Sequence, residues 1–143
     1  MSLSFFLKVI LPICLLIIAI FTFIKQFYSK PVEEFNHLKA QFKATQKLSL
    51  EFQSELEALV SKYNAYNSIM FHPNITYGAY LSQLKESFKI NLSDEVYNQL
   101  LLDRAIYTKS NIESFTRSLE AQFNELLKLQ NEARIIAKSM DSN

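Results

Sequence analysis

The sequence predicts an all-α protein, in which an N-terminal transmembrane helix precedes an antiparallel helical bundle of two long heptad-patterned helices and two short ones. Three observations predict this class. One Gly in 143 residues is far below the roughly ten of average usage, and sheets and phosphate loops draw on Gly for positive φ. Residues 9–24 carry no formal charge, and two later segments repeat apolar residues at heptad spacing.

The segment FLKVILPICLLIIAIFTFIK, residues 6–25, is predicted to be a membrane anchor. A bilayer core of ~30 Å needs about 20 helical residues, and Lys8 near one end can reach the headgroups. The segment lacks the pair of small residues that marks a signal-peptide cleavage site, and a helix that is apolar all round must be surrounded. The lipid bilayer is therefore a predicted partner. The predicted anchor residues are Val9, Leu11, Leu15, Ile18, Phe21 and Ile24.

The predicted organisation is an anchor over 1–25, a juxtamembrane linker over 26–30, a helical-bundle domain over 31–140 and a tail over 141–143. Lysines outnumber acids just after the anchor, which leans toward a cytoplasmic domain by the positive-inside rule. Glu33 and Glu34 interrupt that run, so the side of the membrane stays undecided.

The first long helix is expected to begin near Pro31, because Pro suits the first helical turn. It is expected to end at the turn residues of FHPNITYG, 71–78. Two polar residues interrupt its otherwise apolar seam. The seam positions are Phe35, Leu38, Phe42, Thr45, Ser49, Phe52, Leu56, Leu59, Tyr63, Tyr66 and Met70.

Two short helices and a second long one are predicted next. The short helices run from Tyr77 to Lys89 and from a Ser93 cap to about Tyr107, and Ser110 with Glu113 forms a capping box for the last helix. An up-down-up-down path would place four helices side by side at the end far from the membrane. The last seam is Ile112, Phe115, Leu119, Gln122, Leu126, Leu129, Ala133, Ile136 and Met140.

Apolar residues beside the two long seams indicate that the bundle self-associates, as a dimer for example, or packs on a partner subunit. Leu48, Leu50, Phe123 and Leu127 are these residues. The predicted partner interface consists of Phe35, Leu38, Phe42, Leu129 and Ile136.

No catalytic, cofactor or metal site is predicted. His37 and Glu33 offer two metal ligands at i, i+4 spacing, whereas zinc sites use three or four. The single Cys14 lies in the anchor, and the sequence has no G-x-S-x-G, H-E-x-x-H or Gly-rich phosphate loop. Beyond residue 30 the chain carries 12 basic against 14 acidic residues with no basic cluster, which disfavours nucleic acid as a partner.

The tyrosine-rich stretch KYNAYNSIMFHPNITYGAY, residues 62–80, has the most unusual composition after the anchor. One interpretation is a small-ligand pocket at the tip of the bundle, and the other is an end of the bundle where tyrosine hydroxyls reach water. The candidate pocket residues are Tyr63, Tyr66, Tyr77 and Tyr80.

Part of that stretch, VSKYNAYNSIMFHPN over residues 60–74, is similar to the Tyr- and Asn-rich run before a Phe-Pro in LemA-family proteins, which are membrane-anchored helical bundles. In that family the run lies near the end of the domain, whereas here some seventy residues follow it. The similarity is therefore local, and no family is assigned from it.

These observations predict a single-pass membrane-anchored helical protein that acts in protein–protein assembly, as an accessory or scaffold subunit of a membrane complex. The alternative is a ligand-sensing helical-bundle domain on the non-cytoplasmic side, for which the tyrosine stretch would supply the pocket. An enzyme is not expected.

Overall fold

The computed structural model describes residues 8, 10–28, 31–71, 74–103 and 107–142. The elements in chain order are α1 (Leu11–Tyr28), α2 (Val32–Tyr63), β1 (Ile69–Phe71), β2 (Ile75–Thr76), α3 (Tyr77–Asn91), α4 (Asp94–Leu102) and α5 (Lys109–Asp141). The all-α prediction is confirmed, and the two short strands are the exception within the described residues. The end of the bundle at Val32 is called the base below, and the end at Tyr63 is called the distal end.

Helix α1 exposes large apolar side chains on every face. Ten of them are exposed, from Leu11 at 40% to Phe21 at 70%. Thr22 donates its hydroxyl hydrogen to the Ile18 carbonyl at 2.8 Å, which satisfies this polar group within the helix. In the part of the chain that the structure describes, no helix combines the length and the apolar character needed to cross a membrane.

Helix α2 is the element against which the rest of the bundle packs, and its heptad seam is buried as far as Leu59. It ends at Tyr63, because Asn64 takes the left-handed conformation with φ of 48° and Ala65 donates its N–H to the Val60 carbonyl at 3.1 Å. Asn tolerates this conformation better than most residues. Tyr66 and Met70, which were predicted on the seam, therefore lie beyond the helix.

A hairpin reverses the chain at the distal end, where β1 and β2 pair antiparallel. Gly78 donates its N–H to the Tyr66 carbonyl at 2.9 Å, and the Tyr66 ring lies directly over Gly78. A Cβ on Gly78 would come within 2.5 Å of that ring, so a larger residue here would displace the exposed Tyr66 side chain. Thr76 caps α3 by accepting the Ala79 N–H at 3.2 Å.

Helices α3 and α4 together form one return path from the distal end to the base. Residue numbers rise along this path while those of their α2 partners fall. The partner pairs are Lys85 with Glu57, Leu92 with Gln46, and Tyr97 with Phe42.

The return path is interrupted by the predicted cap. Ser93 accepts the Val96 N–H at 3.4 Å and starts α4, as the sequence predicts, and Leu92 before it is buried. The cap does not reverse the chain, because α4 continues in the direction of α3. Helix α4 ends at Leu102, earlier than the expected Tyr107.

Helix α5 runs parallel to α2. Its cap is Thr108, which accepts the Asn111 N–H at 3.2 Å, two residues before the predicted Ser110. Hydrogen-bonded and charged pairs between the two long helices keep a nearly constant numbering difference, between 74 and 83, from one end to the other. These pairs include Glu34 with Lys109, His37 with Glu120, Glu55 with Gln130, and Lys62 with Asp141.

The parallel course differs from the predicted up-down-up-down path, in which the first and last long helices would be antiparallel. Because α3 and α4 share one direction, the chain completes a single return between the long helices. The bundle is thus α2 outward, α3 with α4 back, and α5 outward.

The core has two apolar clusters joined by a buried polar stretch of α2. The distal cluster includes Phe52, Leu56 and Leu126, and the cluster at the base consists of Phe35, Leu38 and Ile112. Between them Thr45 and Ser49 are almost fully buried, and Thr45 donates to the Gln41 carbonyl at 2.8 Å.

Candidate functional site: a lateral groove in the bundle

The bundle has a lateral groove of about 590 Å³ between the return path and α5, near the base. Leu38 and Phe42 of α2 form its apolar floor. Val96 and Leu100 of α4 line one wall, and Phe115 and Leu119 of α5 line the other. A groove with two helical walls and an apolar floor has the shape into which a further helix packs.

The rim of the lateral groove carries exposed apolar side chains and uncharged polar ones. Ile90 is 60% exposed and Phe115 is 47% exposed. Gln99 and Gln122 contribute amides, and among the described lining residues Asp103 alone has a formal charge. This chemistry suits an occupant with an apolar stripe and few charges.

Aromatic contacts hold Phe115 at the rim. Its ring meets the Tyr107 ring edge-on, with centroids 5.6 Å apart, and Tyr107 stacks in turn on Phe35 at 6.4 Å. Burial raises the pKa of Tyr107, and the nearby Asp103 carboxylate adds to the effect. Phe115, itself half exposed, therefore contacts the buried Phe35 through the half-buried Tyr107.

A polar network ties the break between α3 and α4 to α2 beside the groove. The Gln46 amide donates to the Leu92 carbonyl at 2.8 Å and to the Asp94 carboxylate at 2.9 Å. Lys43 donates to the Gln46 side-chain oxygen at 2.9 Å and lies 4.1 Å from the centroid of the Tyr97 ring. The hydrogen bonds from Gln46 and Lys43 lower the pKa of Asp94.

A second, smaller cleft of about 340 Å³ lies between α2 and α5 at the distal end. Two charged groups of residues border it. Glu55 accepts hydrogen bonds from the Arg134 Nε at 2.9 Å and from the buried Gln130 at 3.0 Å. Asp141 accepts from Lys62 at 2.5 Å and from the Tyr63 hydroxyl, and these bonds lower the pKa of Asp141.

The four tyrosines proposed for a ligand pocket lie in different surroundings. Tyr63 lines the distal cleft, and Tyr66 is 53% exposed over Gly78. Tyr77 is buried in the core. Tyr80 is half-buried with its ring 6.0 Å from that of Phe52.

The residues proposed for a partner interface are largely used inside the chain. Phe35, Leu38 and Phe42 are buried in the bundle, and Leu129 and Ile136 are half-buried against the distal cluster. Leu38 and Phe42 lie beneath the lateral groove as its floor, but they are only 1% and 4% exposed, so an occupant would contact mainly the wall and rim residues.

The proposed anchor residues on α1 are exposed, with Leu15, Ile18 and Ile24 at 58%, 60% and 46%. Val9 lies outside the described residues.

His37 pairs across the bundle rather than with Glu33. Its Nε2 lies 3.3 Å from the Glu120 carboxylate on α5, in a polar cleft at the base. Within the described ranges, no group of three His, Cys, Asp or Glu side chains is placed to hold a metal ion.

Sequence reasoning did not find the lateral groove. Its wall residue Phe115 was expected on the buried seam, but the structure buries the adjacent Thr116 instead. The Thr116 hydroxyl donates to the Ile112 carbonyl at 2.8 Å, so the residue enters the core without an unpaired polar group. Ile90, an apolar residue off the predicted seams, was the available signal.

Comparisons with known protein families, with curated proteins and with solved structures give no match to this chain. The similarity of residues 60–74 to the LemA run therefore stays local.

Proposed function

We propose that this chain is a single-pass membrane-anchored helical protein that acts in protein–protein assembly. Helix α1 is the anchor, and the lateral groove is the docking surface for an apolar-striped helix of a partner protein. The observation that carries the assembly role is the pair of exposed apolar rim residues, Ile90 and Phe115, at the edge of a groove with an apolar floor.

The anchor is supported by the exposure of α1. A helix that is apolar all round and exposes its large side chains must be covered by lipid or protein. Its 18 residues span about 27 Å at 1.5 Å per residue, and uncharged residues 9 and 10 precede it in the sequence. The described helix is about 3 Å shorter than a hydrocarbon core of ~30 Å, so the proposal counts the uncharged residues 9 and 10 as part of the span.

Membrane association is tested by alkaline carbonate extraction of membranes that contain the full chain. The wild-type chain is expected to stay in the membrane pellet. An Arg at the centre of a spanning helix costs about 2.5–3.5 kcal/mol, so Ile18→Arg with Phe21→Arg should release a substantial fraction. Leu50→Arg, at an exposed position on α2, is the control, and release of the wild-type chain would contradict the anchor.

Docking in the groove is tested by site-specific photo-crosslinking in native membranes. A photoreactive residue at Ser118, on the groove wall, is expected to trap a discrete partner, whereas one at the exposed Ser54 is not. Ile90→Glu should abolish the adduct because it places a charge on the apolar rim, and Leu50→Glu should leave it intact. An adduct of twice the chain mass would identify a second copy as the partner.

The opposite result would be equal labelling at Ser118 and Ser54, or an adduct that survives Ile90→Glu with the helical content unchanged by circular dichroism. Either outcome would remove the groove as the docking surface.

A second candidate function is small-ligand sensing, which is supported by the volumes of the two clefts. Both the 590 Å³ groove and the 340 Å³ distal cleft fall within the range of about 300–1,000 Å³ common for ligand pockets. A ligand that binds the folded chain raises its melting temperature, so a thermal-shift screen separates this function from assembly.

A further inference from the structure

Three apolar side chains at the base of the bundle are exposed. Leu102 is 82% exposed at the end of α4, Leu101 is 38% exposed beside it, and Val32 is 48% exposed at the start of α2. These three residues are called the base patch below. Leu101 and Leu102 are adjacent on α4, and exposed large apolar side chains of this kind are candidates for contact with a partner or a lipid surface.

The base patch lies at the end of the bundle that the chain enters from α1. Val32 is four Cα steps after Tyr28, so it lies within about 15 Å of the end of α1. Leu100 packs against Phe35 and Ile112 in the cluster at the base, which brings the next two residues of α4 to the same end.

We propose that the base patch rests in the interfacial layer of the bilayer that α1 crosses. The inference depends on the proposed anchoring, because α1 is what brings the patch to the lipid. Apolar side chains of membrane-surface helices sit about 5–10 Å deep at the boundary of headgroups and acyl chains. In this layer the side chains of Leu101 and Leu102 are removed from water, whereas in the isolated bundle they are exposed to it.

The proposed contact is apolar, and the described cation Lys109 at the base is already paired with acids of the chain. Lys109 lies 3.2 Å from Glu34 and 4.0 Å from Glu113, so this cation is balanced within the chain. Asp103, the residue after Leu102, lines the lateral groove. The contact is therefore expected in uncharged phosphatidylcholine vesicles and at high salt.

The test uses the full chain in phosphatidylcholine proteoliposomes, in a Cys14→Ser background with one new thiol carrying an environment-sensitive fluorophore. Leu102→Cys is the test position and Leu50→Cys, an equally apolar exposed leucine halfway along α2, is the matched control. The emission maximum of the label at position 102 should lie at a shorter wavelength than that of the label at position 50. The label at position 102 should also be quenched by a lipid-borne nitroxide and shielded from aqueous iodide.

Each other outcome has a definite meaning. Iodide quenching at 102 equal to that at 50, in chains that float with the vesicles, overturns the base contact and leaves the anchor standing. Chains that fail to float overturn the anchor itself. A label at 102 that is shielded from both quenchers shows that protein covers the patch, which also overturns the proposal. Leu101→Cys repeats the measurement with Leu102 intact.

Discussion

At the scale of single residues, three small hydroxyl side chains, Thr45, Ser49 and Thr116, lie in the core, where a pattern of apolar residues alone would not place them. Thr45 and Thr116 donate to carbonyls one turn back in their own helices, so neither hydroxyl is unpaired in the core. The sequence marked Thr45 and Ser49 as polar seam positions, and they are buried. The heptad pattern predicted that Phe115 is buried. It takes no account of the hydrogen bond from Thr116 to the Ile112 carbonyl, which allows Thr116 to be buried instead.

The raised pKa of Tyr80 predicts that the folded bundle loses stability at alkaline pH. Burial, together with the Glu125 carboxylate, raises the pKa of Tyr80 to about 12, against about 10 in an unfolded chain. The folded state therefore holds the phenol proton more tightly, and its contribution to stability is present below pH 10 and lost as pH rises toward 12.

Tyr80→Phe should remove that part of the pH dependence. Between pH 8 and pH 11 the free energy of unfolding of the wild type should fall by roughly 1 kcal/mol more than that of the variant, after allowance for solvent screening. Denaturant titrations of the full chain in mild detergent measure this difference. Tyr66→Phe, at an exposed tyrosine, is the control, and identical pH profiles for wild type and Tyr80→Phe would refute the prediction.

At the scale of elements, the break between α3 and α4 is held by the side chain of another helix. The Ser93 cap starts α4, but the Gln46 amide on α2 satisfies the Leu92 carbonyl at the break. A cap sets where a helix begins and carries no information on which way its neighbours run. That limit explains why the sequence located the start of α4 correctly and still missed its direction.

Gln46→Ala should destabilise the bundle by about 1–3 kcal/mol, because the buried Leu92 carbonyl loses its donor. Denaturant titration gives the loss, and hydrogen exchange should quicken first at the α3–α4 break. Gln83→Ala is the control, since that side chain is exposed on α3, and it should cost about 0.5 kcal/mol or less. Equal losses in the two variants would show that the break does not depend on Gln46.

At the scale of the whole molecule, the direction of α5 relative to α2 can be checked without a structure. In a Cys14→Ser background, Lys62→Cys with Asp141→Cys should form an intramolecular crosslink with a short bismaleimide, because Lys62 and Asp141 pair at the distal end. Lys62→Cys with Lys109→Cys should not, although those two positions would be neighbours in an antiparallel arrangement. Mass spectrometry of the digested chain decides between the two arrangements.

The same scale sets the limit of what the sequence predicts about the candidate site. Heptad seams predicted both long helices and the buried face of α2 as far as Leu59, because burial repeats along one helix. On α5 the buried residues of the predicted seam are only Ile112, Leu126 and Ala133. The lateral groove depends on how three helices are placed relative to one another, and this placement produces no periodic pattern in the sequence. Of its rim residues, Ile90 was only an apolar residue off the predicted seams, and Phe115 was assigned to the buried seam.

The parallel course of α2 and α5 also fixes where a fused cargo would be displayed. Helix α2 has 32 residues and spans about 48 Å, and α5 ends beside Lys62 at its far end. With α1 in a bilayer, a fluorescent protein joined after α5 would be held one full helix length along the bundle from the base. Inserted between α4 and α5, the same cargo would lie close to the headgroups.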